Sequence, residues 1–371
     1  MLTTRSAFLR PLTILAALGI LVSGLTGCRL FHSAAVTAKT PKKTAAPVQM
    51  LALDLTKVQP NEAGQIPILE YHDLVKGSVY KDYAFPAAEF RKDIEWLYAH
   101  NYRPISLSDY VNGKIDCPAG TSPVILTFDD ALRGQFHYDD DGKIDPDCAV
   151  GILDAFHTQH PDWPLKGTFF VLTDEDPKMP PPFYQARRGE EKLKYLVQEG
   201  YEIGNHTVHH QMGMRHWPAA RVESEFAGAV VGIHKYLPGY NVDTLALPFG
   251  VYPKDIHLVM QGESGGISYH NICAMEAGYG PAPSPMDKKF NPYRIERIIP
   301  ANRSVKPGGP FTIRYWLKLL ETHKAEKFIS DGDPNTYTVS PAAKSRLNLA
   351  RLQKDHFFLR MYQGQQLLAQ K

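Results

Sequence analysis

A chain of 371 residues with 43% hydrophobic and 22% charged side chains carries enough apolar surface for a sizeable core, which excludes a wholly disordered protein. A formal net charge of +2, with no basic stripe interleaved with aromatics, argues against a nucleic-acid partner. Length alone leaves the domain count open, because a single α/β barrel often reaches about 250 residues.

In chain order, Arg5 and Arg10 precede an apolar run from Leu12 to Leu25. The run is short for a membrane span and suits the hydrophobic region of a secretory signal. It ends in Leu25-Thr26-Gly27-Cys28, which resembles a bacterial lipobox. That resemblance implies cleavage before Cys28 and lipidation of its thiol, giving an exported protein anchored to a membrane rather than spanning it. Residues 1–28 are thus expected to be a lipoprotein signal. Residues 29–64, with Thr40-Pro41-Lys42-Lys43-Thr44 and few large apolar side chains, are expected to be a flexible tether. Beyond Cys28 remain Cys117, Cys148 and Cys273, which allow at most one internal disulfide, and Cys117 with Cys148 is the pair considered.

From Gln65 onward short β-branched runs alternate with helical patterns. Strands are predicted at Ile66 to Tyr71, Pro123 to Phe128, Thr168 to Leu172, Tyr201 to Gly204, Thr244 to Leu247 and His270 to Ala274. Helices are predicted at Ala87 to His100, Glu190 to Glu199 and Ala219 to Leu237. In the last, Val222, Phe226, Ala229, Ile233 and Leu237 recur at spacings of three and four and so share one face. Repeated strand-helix units imply parallel strands joined by right-handed crossovers, in a closed barrel or an open doubly wound sheet, with chemistry at the strand C-terminal ends. Past residue 305 the rhythm weakens to a helix near Thr312 to His323, a turn at Asp331-Gly332-Asp333-Pro334 and an apolar Phe357-Phe358-Leu359. Residues 305–371 are expected to be a C-terminal extension packed on the domain.

Two polar clusters fall where strands run out. Val124-Ile125-Leu126-Thr127-Phe128 ends in Asp129-Asp130, and adjacent carboxylates at a strand end point in different directions, so one can ligate a metal while the other stays free as a base. Tyr201-Glu202-Ile203-Gly204 is followed by Asn205-His206-Thr207-Val208-His209-His210. Histidines four apart on a compact loop converge on one point, although His209 could replace either neighbour as ligand. Two histidines and one aspartate leave coordination positions open for water and substrate.

Together the clusters resemble the polysaccharide deacetylases of carbohydrate esterase family 4. Thr127-Phe128-Asp129-Asp130 is similar to the first motif of that family and His206-Thr207-Val208-His209-His210 to its second. Ile68-Leu69-Glu70-Tyr71-His72, Gly167-Thr168-Phe169-Phe170-Val171 and Leu247-Pro248-Phe249-Gly250 resemble further landmarks. The resemblance implies a distorted, incomplete (β/α) barrel over residues 65–304. It also implies Asp129 as general base, Asp130, His206 and His210 as ligands of a divalent metal, Thr207 as a brace and the backbone N–H of Phe249 as an oxyanion donor. Zinc is the first choice of metal, with cobalt, nickel or iron as alternatives.

Three departures qualify the resemblance. The position of the family's arginine before the third-motif proline holds Ala246, and Arg297 is the hypothesised replacement cation. The late histidine that protonates the leaving amine has no clear counterpart, which leaves the general acid unassigned among His72, His323 and His356. An insertion carries Asp139-Asp140-Asp141-Gly142-Lys143-Ile144-Asp145, but an EF-hand alignment puts His137 and Cys148 where acidic ligands are needed, so it reads as a solvated turn. The expected activity is metal-dependent removal of N-acetyl groups from a hexosamine polymer such as peptidoglycan. O-deacetylation of a glycan such as xylan, or a catalytically silent carbohydrate-binding lipoprotein, are the rival readings. The expected partners are a polysaccharide and a membrane, with no obligate protein partner.

Overall fold

Seven of the apolar runs pair side by side in the computed structural model, which describes residues 53–368 apart from 78–82, 174–181, 186, 302–308 and 324–325. They are β1 (Ile68–Tyr71), β2 (Tyr102–Pro104), β3 (Ser122–Asp129), β4 (Thr168–Val171), β5 (Glu202–Asn205), β6 (Thr244–Ala246) and β7 (Cys273–Met275). The order is β1-β3-β4-β5-β6-β7, with β2 beside the first half of β3, and every pairing is parallel. Parallel neighbours need crossovers, and these contain α1 (Ala87–Ala99), α2 (Ala149–Gln159), α3 (Gly189–Glu199) and α4 (Ala219–Tyr236). The predicted face of α4 is buried at Val222, Phe226, Ala229 and Ile233.

Side-chain alternation divides the core in two. Leu69, Tyr71, Leu126, Phe128, Phe169, Ile203 and Leu245 pack outward in the same cluster as the apolar faces of the helices. Ile68, Ile125, Phe170, Ala246, Cys273 and Met275 point inward, in a second cluster that also holds Tyr337, Val339, Leu347 and Met361 from the C-terminal part of the chain. That part forms a small sheet of Thr336–Val339, Phe358–Gln363 and Gln366–Leu368. Gly204 is required opposite Phe170, because a Cβ there would come within 2.4 Å of the Phe170 ring.

Among the described residues no regular strand closes the ring between β7 and β1. Residues 295–298 cross the gap with isolated parallel bridges, Ile295 to Met275 on one side and Ile298 to Leu69 on the other. Ile298 exchanges backbone hydrogen bonds with β1, its N–H donating to the Ile68 carbonyl and its carbonyl accepting from Glu70. The fold is therefore a distorted, incomplete (β/α) barrel, with an irregular seam where a further strand would stand.

Several expectations need correction. The signal, Cys28 and most of the tether lie outside the described residues, but the tether ends earlier than residue 64. Asp54 caps a short helix at Leu55–Val58, Asn61 bridges Ile329, and Glu62 and Ala63 are buried. The run expected as one strand from His270 to Ala274 is divided. Ile267–His270 pairs with Gln261–Ser264 in an antiparallel hairpin over α4, and only Cys273–Met275 joins the barrel. Cys117, Cys148 and Cys273 are all free and buried. Cys117 belongs to the inner cluster and Cys148 to the outer one, so the sheet separates the pair considered for a disulfide.

Ile298 is fully buried at the seam. Ile298→Ala should lower stability by about 2–5 kcal/mol, the range for truncating a buried isoleucine. Urea unfolding measures this, and a loss well under 1 kcal/mol would mean that the seam contributes little to closure.

Candidate active site

Asp129, Asp130, His206, Thr207, His210 and His72 end or follow strands on one rim of the barrel, the C-terminal rim expected to carry chemistry. Inward alternation along β3 brings Thr127 and then Asp129 to the interior, where Asp129 is 2% exposed. The chain then turns sharply, with Asp130 and Ala131 both in the left-handed region at φ 75° and 51°. Gln135 holds this turn by donating to the backbone carbonyls of Asp129 and His72.

The second cluster is braced on every side. Asn205 Oδ1 accepts from the Thr207 N–H at 2.8 Å, and Thr207 Oγ1 accepts from the His210 N–H at 3.1 Å. Glu225 on α4 accepts from the N–H groups of Val208 and His209, at 3.1 and 3.0 Å, and binds His209 Nδ1 at 2.7 Å. His209 is thereby turned onto Glu225 and does not belong to the convergent group of candidate ligands. His206 Nδ1 lies 2.9 Å from the Ala246 carbonyl, so Nδ1 is the donor and Nε2 presents its lone pair to the site.

Asp130, His206 and His210 converge, their candidate ligand atoms all within 4.8 Å of one another. His206 Nε2 and His210 Nε2 lie 3.2 and 3.5 Å from Asp130 Oδ1. Asp130 Oδ1 and His206 Nε2 are buried without a hydrogen-bond partner among the described residues, which is costly unless something else satisfies them. Burial, and then the neighbouring His206, push the His210 imidazole down to about 4, which keeps it neutral near pH 7 as a ligand must be. Burial also disfavours charge on His206, but the carboxylates of Asp129 and Asp130 outweigh it and raise its pKa.

Beside this triad, Arg297 projects inward from the seam and is fully buried. Its Nη1 and Nη2 donate to Asp129 Oδ1 and Oδ2, both at 2.7 Å. Nη1 also donates to Thr127 Oγ1 at 3.1 Å, Nε donates to the Glu276 carbonyl at 2.8 Å, and Glu70 Oε2 lies 3.4 Å from Nε. Burial alone would raise the Asp129 pKa, but the Arg297 and His206 charges overcome it and hold the carboxyl well below the usual range. The same carboxylates raise the Arg297 pKa against its own desolvation.

His72 follows β1 and forms a second convergent group with Glu70 and Asp129, again within 4.8 Å. Its Nε2 stands 3.9 Å from Glu70 Oε1. His323 ends the helix Ile313–Thr322 and His356 follows the helix Leu349–Lys354; neither is in a convergent group among the described residues. Phe249 sits at φ 57° in the turn after β6, its ring 4.6 Å from that of His210. Glu70, Glu225 and Gln135 escaped the sequence reading. Glu70 alone carried a signal, an acidic side chain at an inward position of a buried strand.

Residues 117–262 match the family model described as polysaccharide deacetylase. A chitooligosaccharide deacetylase of Bradyrhizobium sp. (strain ANU 289) is 29% identical over 152 residues, covering 41% of this chain and 57% of the relative. The chain spans only about half the length of the curated relatives it matches. Among solved structures it is similar to a polysaccharide deacetylase from Bacillus cereus, at TM-score 0.46 and 18% identity over 63% of this chain and 64% of that one. It is likewise similar to the Streptococcus pyogenes deacetylase PplD in complex with acetate, at TM-score 0.47 and 18% identity over 63% and 92%. The likeness to polysaccharide deacetylases thus rests on residues 117–262 of this chain. The matched span includes Asp129, Asp130, His206, His210 and Phe249, and leaves out His72 and Arg297.

Removing the guanidinium would leave Asp129 buried without its main counter-charge. Arg297→Met should therefore cost about 3–5 kcal/mol, the range for breaking a buried pair. Asp129→Asn placed in the same chain should recover part of that loss. A double-mutant cycle by urea unfolding tests this, and strictly additive losses would refute the coupling.

Proposed function

We propose that the protein is a metal-dependent hydrolase that removes acetyl groups from a polysaccharide, acting on the N-acetyl groups of a hexosamine polymer. The observation that carries this reading is the convergence of Asp130, His206 and His210 on one point, with Asp129 alongside and paired to Arg297. The donor set fits a divalent cation. One carboxylate and two imidazoles suit zinc, with cobalt, nickel or iron as alternatives, and orphaned atoms of Asp130 and His206 face the same space. Charge agrees: the carboxylates of Glu70, Asp129 and Asp130 outnumber the single guanidinium of Arg297 by two.

When bound, the cation would supply Lewis acidity, polarising the acetyl carbonyl and making an attacking water more acidic. Asp129 takes a proton from that water as its oxygen bonds to the carbonyl carbon. Arg297 fixes both oxygens of Asp129 in the orientation needed for this transfer. The Phe249 backbone N–H donates to the oxyanion that develops. His72, grouped with Glu70 and Asp129, gives a proton to the departing nitrogen as the C–N bond breaks, releasing acetate and a free amine. Arg297 and His72 thereby take the two roles that Ala246 and the missing late motif leave vacant, which weighs against a silent binding protein. The name of the Bradyrhizobium relative favours an amide over an ester substrate.

We further propose that the chain is exported and held at a membrane through a lipidated Cys28, placing it beside cell-envelope glycans. Cys28→Ala should release the protein from the membrane fraction and abolish incorporation of labelled palmitate; retention with unchanged labelling would sink the anchor.

Asp129→Asn should reduce acetate release from an acetylated hexosamine oligomer by about 100-fold to 10,000-fold, the usual range for a general base. Its bound metal should be retained. His206→Ala and His210→Ala should lose the metal, whereas His209→Ala should keep it. Metal analysis paired with acetate release decides, and equal metal content in the His206 and His209 variants would overturn the ligand assignment.

A further inference from the structure

The aromatic side chains of this domain are mostly interior, yet three stand exposed over the site just described. Tyr83 is 59% exposed, with its ring 4.8 Å from that of His72. Tyr184 is 48% exposed and adjoins Phe183, whose N–H donates to the carbonyl of Ala131, the residue after Asp130. Phe249 is 39% exposed, beside His210. The rings come from three separate segments, which follow β1, β4 and β6 in the chain.

Each ring is held out at a backbone cost. Tyr83, Tyr184 and Phe249 have φ of 62°, 53° and 57°, and Phe183 has φ 62°. Bulky side chains rarely occupy this region, and such strain persists only where the surroundings over-determine it. For Tyr184 the surroundings are visible. Buried Lys192 on α3 donates to the carbonyls of Phe136 and Phe183, at 2.7 and 3.3 Å, and so clips the strained turn to the insertion that follows the first motif.

An exposed ring with a polar tip, beside carboxylates and imidazoles, complements a ligand with an apolar face and a hydroxylated edge. A pyranose has that shape. We propose that Tyr83 and Tyr184 contact the substrate by stacking on pyranose rings that flank the acetylated sugar, so that the enzyme selects a glycan chain over a single sugar or a disaccharide. This deepens the proposed function and takes the sugar class from it. A ligand confined to the metal triad would have no use for rings strained outward around it.

Binding tests the inference apart from catalysis. Calorimetry with the dimer and pentamer of β-1,4-linked N-acetylglucosamine, and with acetylated xylopentaose, gives a chain-length preference for the intact protein, and acetate release is measured in parallel. The wild type should bind one of the pentamers at least about tenfold more tightly than the dimer. Tyr83→Ala and Tyr184→Ala should each reduce that preference by about fivefold to tenfold, the worth of one aromatic contact. Tyr83→Phe and Tyr184→Phe, which keep the ring, should restore most of it. Chain-length preference unchanged in both alanine variants, or no binding of either pentamer by the wild type, would overturn the stacking role. Length preference without acetate release would leave this inference standing and remove the deacetylase reading. Acetate release without length preference would do the reverse.

Discussion

A guanidinium with no exposure to solvent, held between carboxylates, is the interaction around which this barrel is arranged. Taking Arg297 and Asp129 out of water is expensive, and it is offset only if every donor and acceptor finds a partner at good geometry. Here both Asp129 oxygens are met by separate N–H groups, and two further N–H groups of Arg297 reach Thr127 and the Glu276 carbonyl. An ion pair satisfied so fully fixes position as well as charge. Both oxygens of Asp129 are thereby held in one orientation.

That pair sits at the irregular closure of the barrel. A regular strand beside β1 would alternate its side chains in register with Ile68 and Glu70. The seam instead touches β7 through Ile295 and β1 through Ile298, and the two residues between cross the gap. Along it Arg297 points into the interior and Ile298 joins the outer apolar cluster. At β6 the backbone carbonyl of Ala246 fixes His206. The cation comes from the seam and the histidine is held by β6, so the two halves of the site are oriented by different elements.

Much of this was legible in the chain. Buried strands ending in Asp129-Asp130 and before His206 were visible as apolar runs, and α4 as a stripe at spacings of three and four. Parallel strands then forced both clusters to one rim. What escaped has no periodicity to detect. β2 is three residues long, the seam makes single bridges, and Glu62 is buried by backbone groups of Asp331 and Thr338, more than 260 residues away. Arg297 was reachable only by asking which cation could replace the one absent at Ala246, since 168 residues separate it from Asp129. Glu225 could not have been found, because bracing two loop N–H groups leaves no sequence signature.

Local rules are broken most densely where the chemistry is placed. Asp130, Ala131, Thr207, His210 and Phe249 all take left-handed backbone without being glycine, and each such residue costs on the order of 1–3 kcal/mol. The compensation is specific: Gln135 holds the Asp129 turn, and Asn205, Thr207 and Glu225 hold the histidine loop. None of these braces is needed to close a barrel. They hold side chains that a relaxed loop would point elsewhere, and the energy for that comes from a core whose strands and helices obey the ordinary rules. The strain and the orphaned atoms of Asp130 and His206 thus fall in one place, the loops that bring a carboxylate and two imidazoles together.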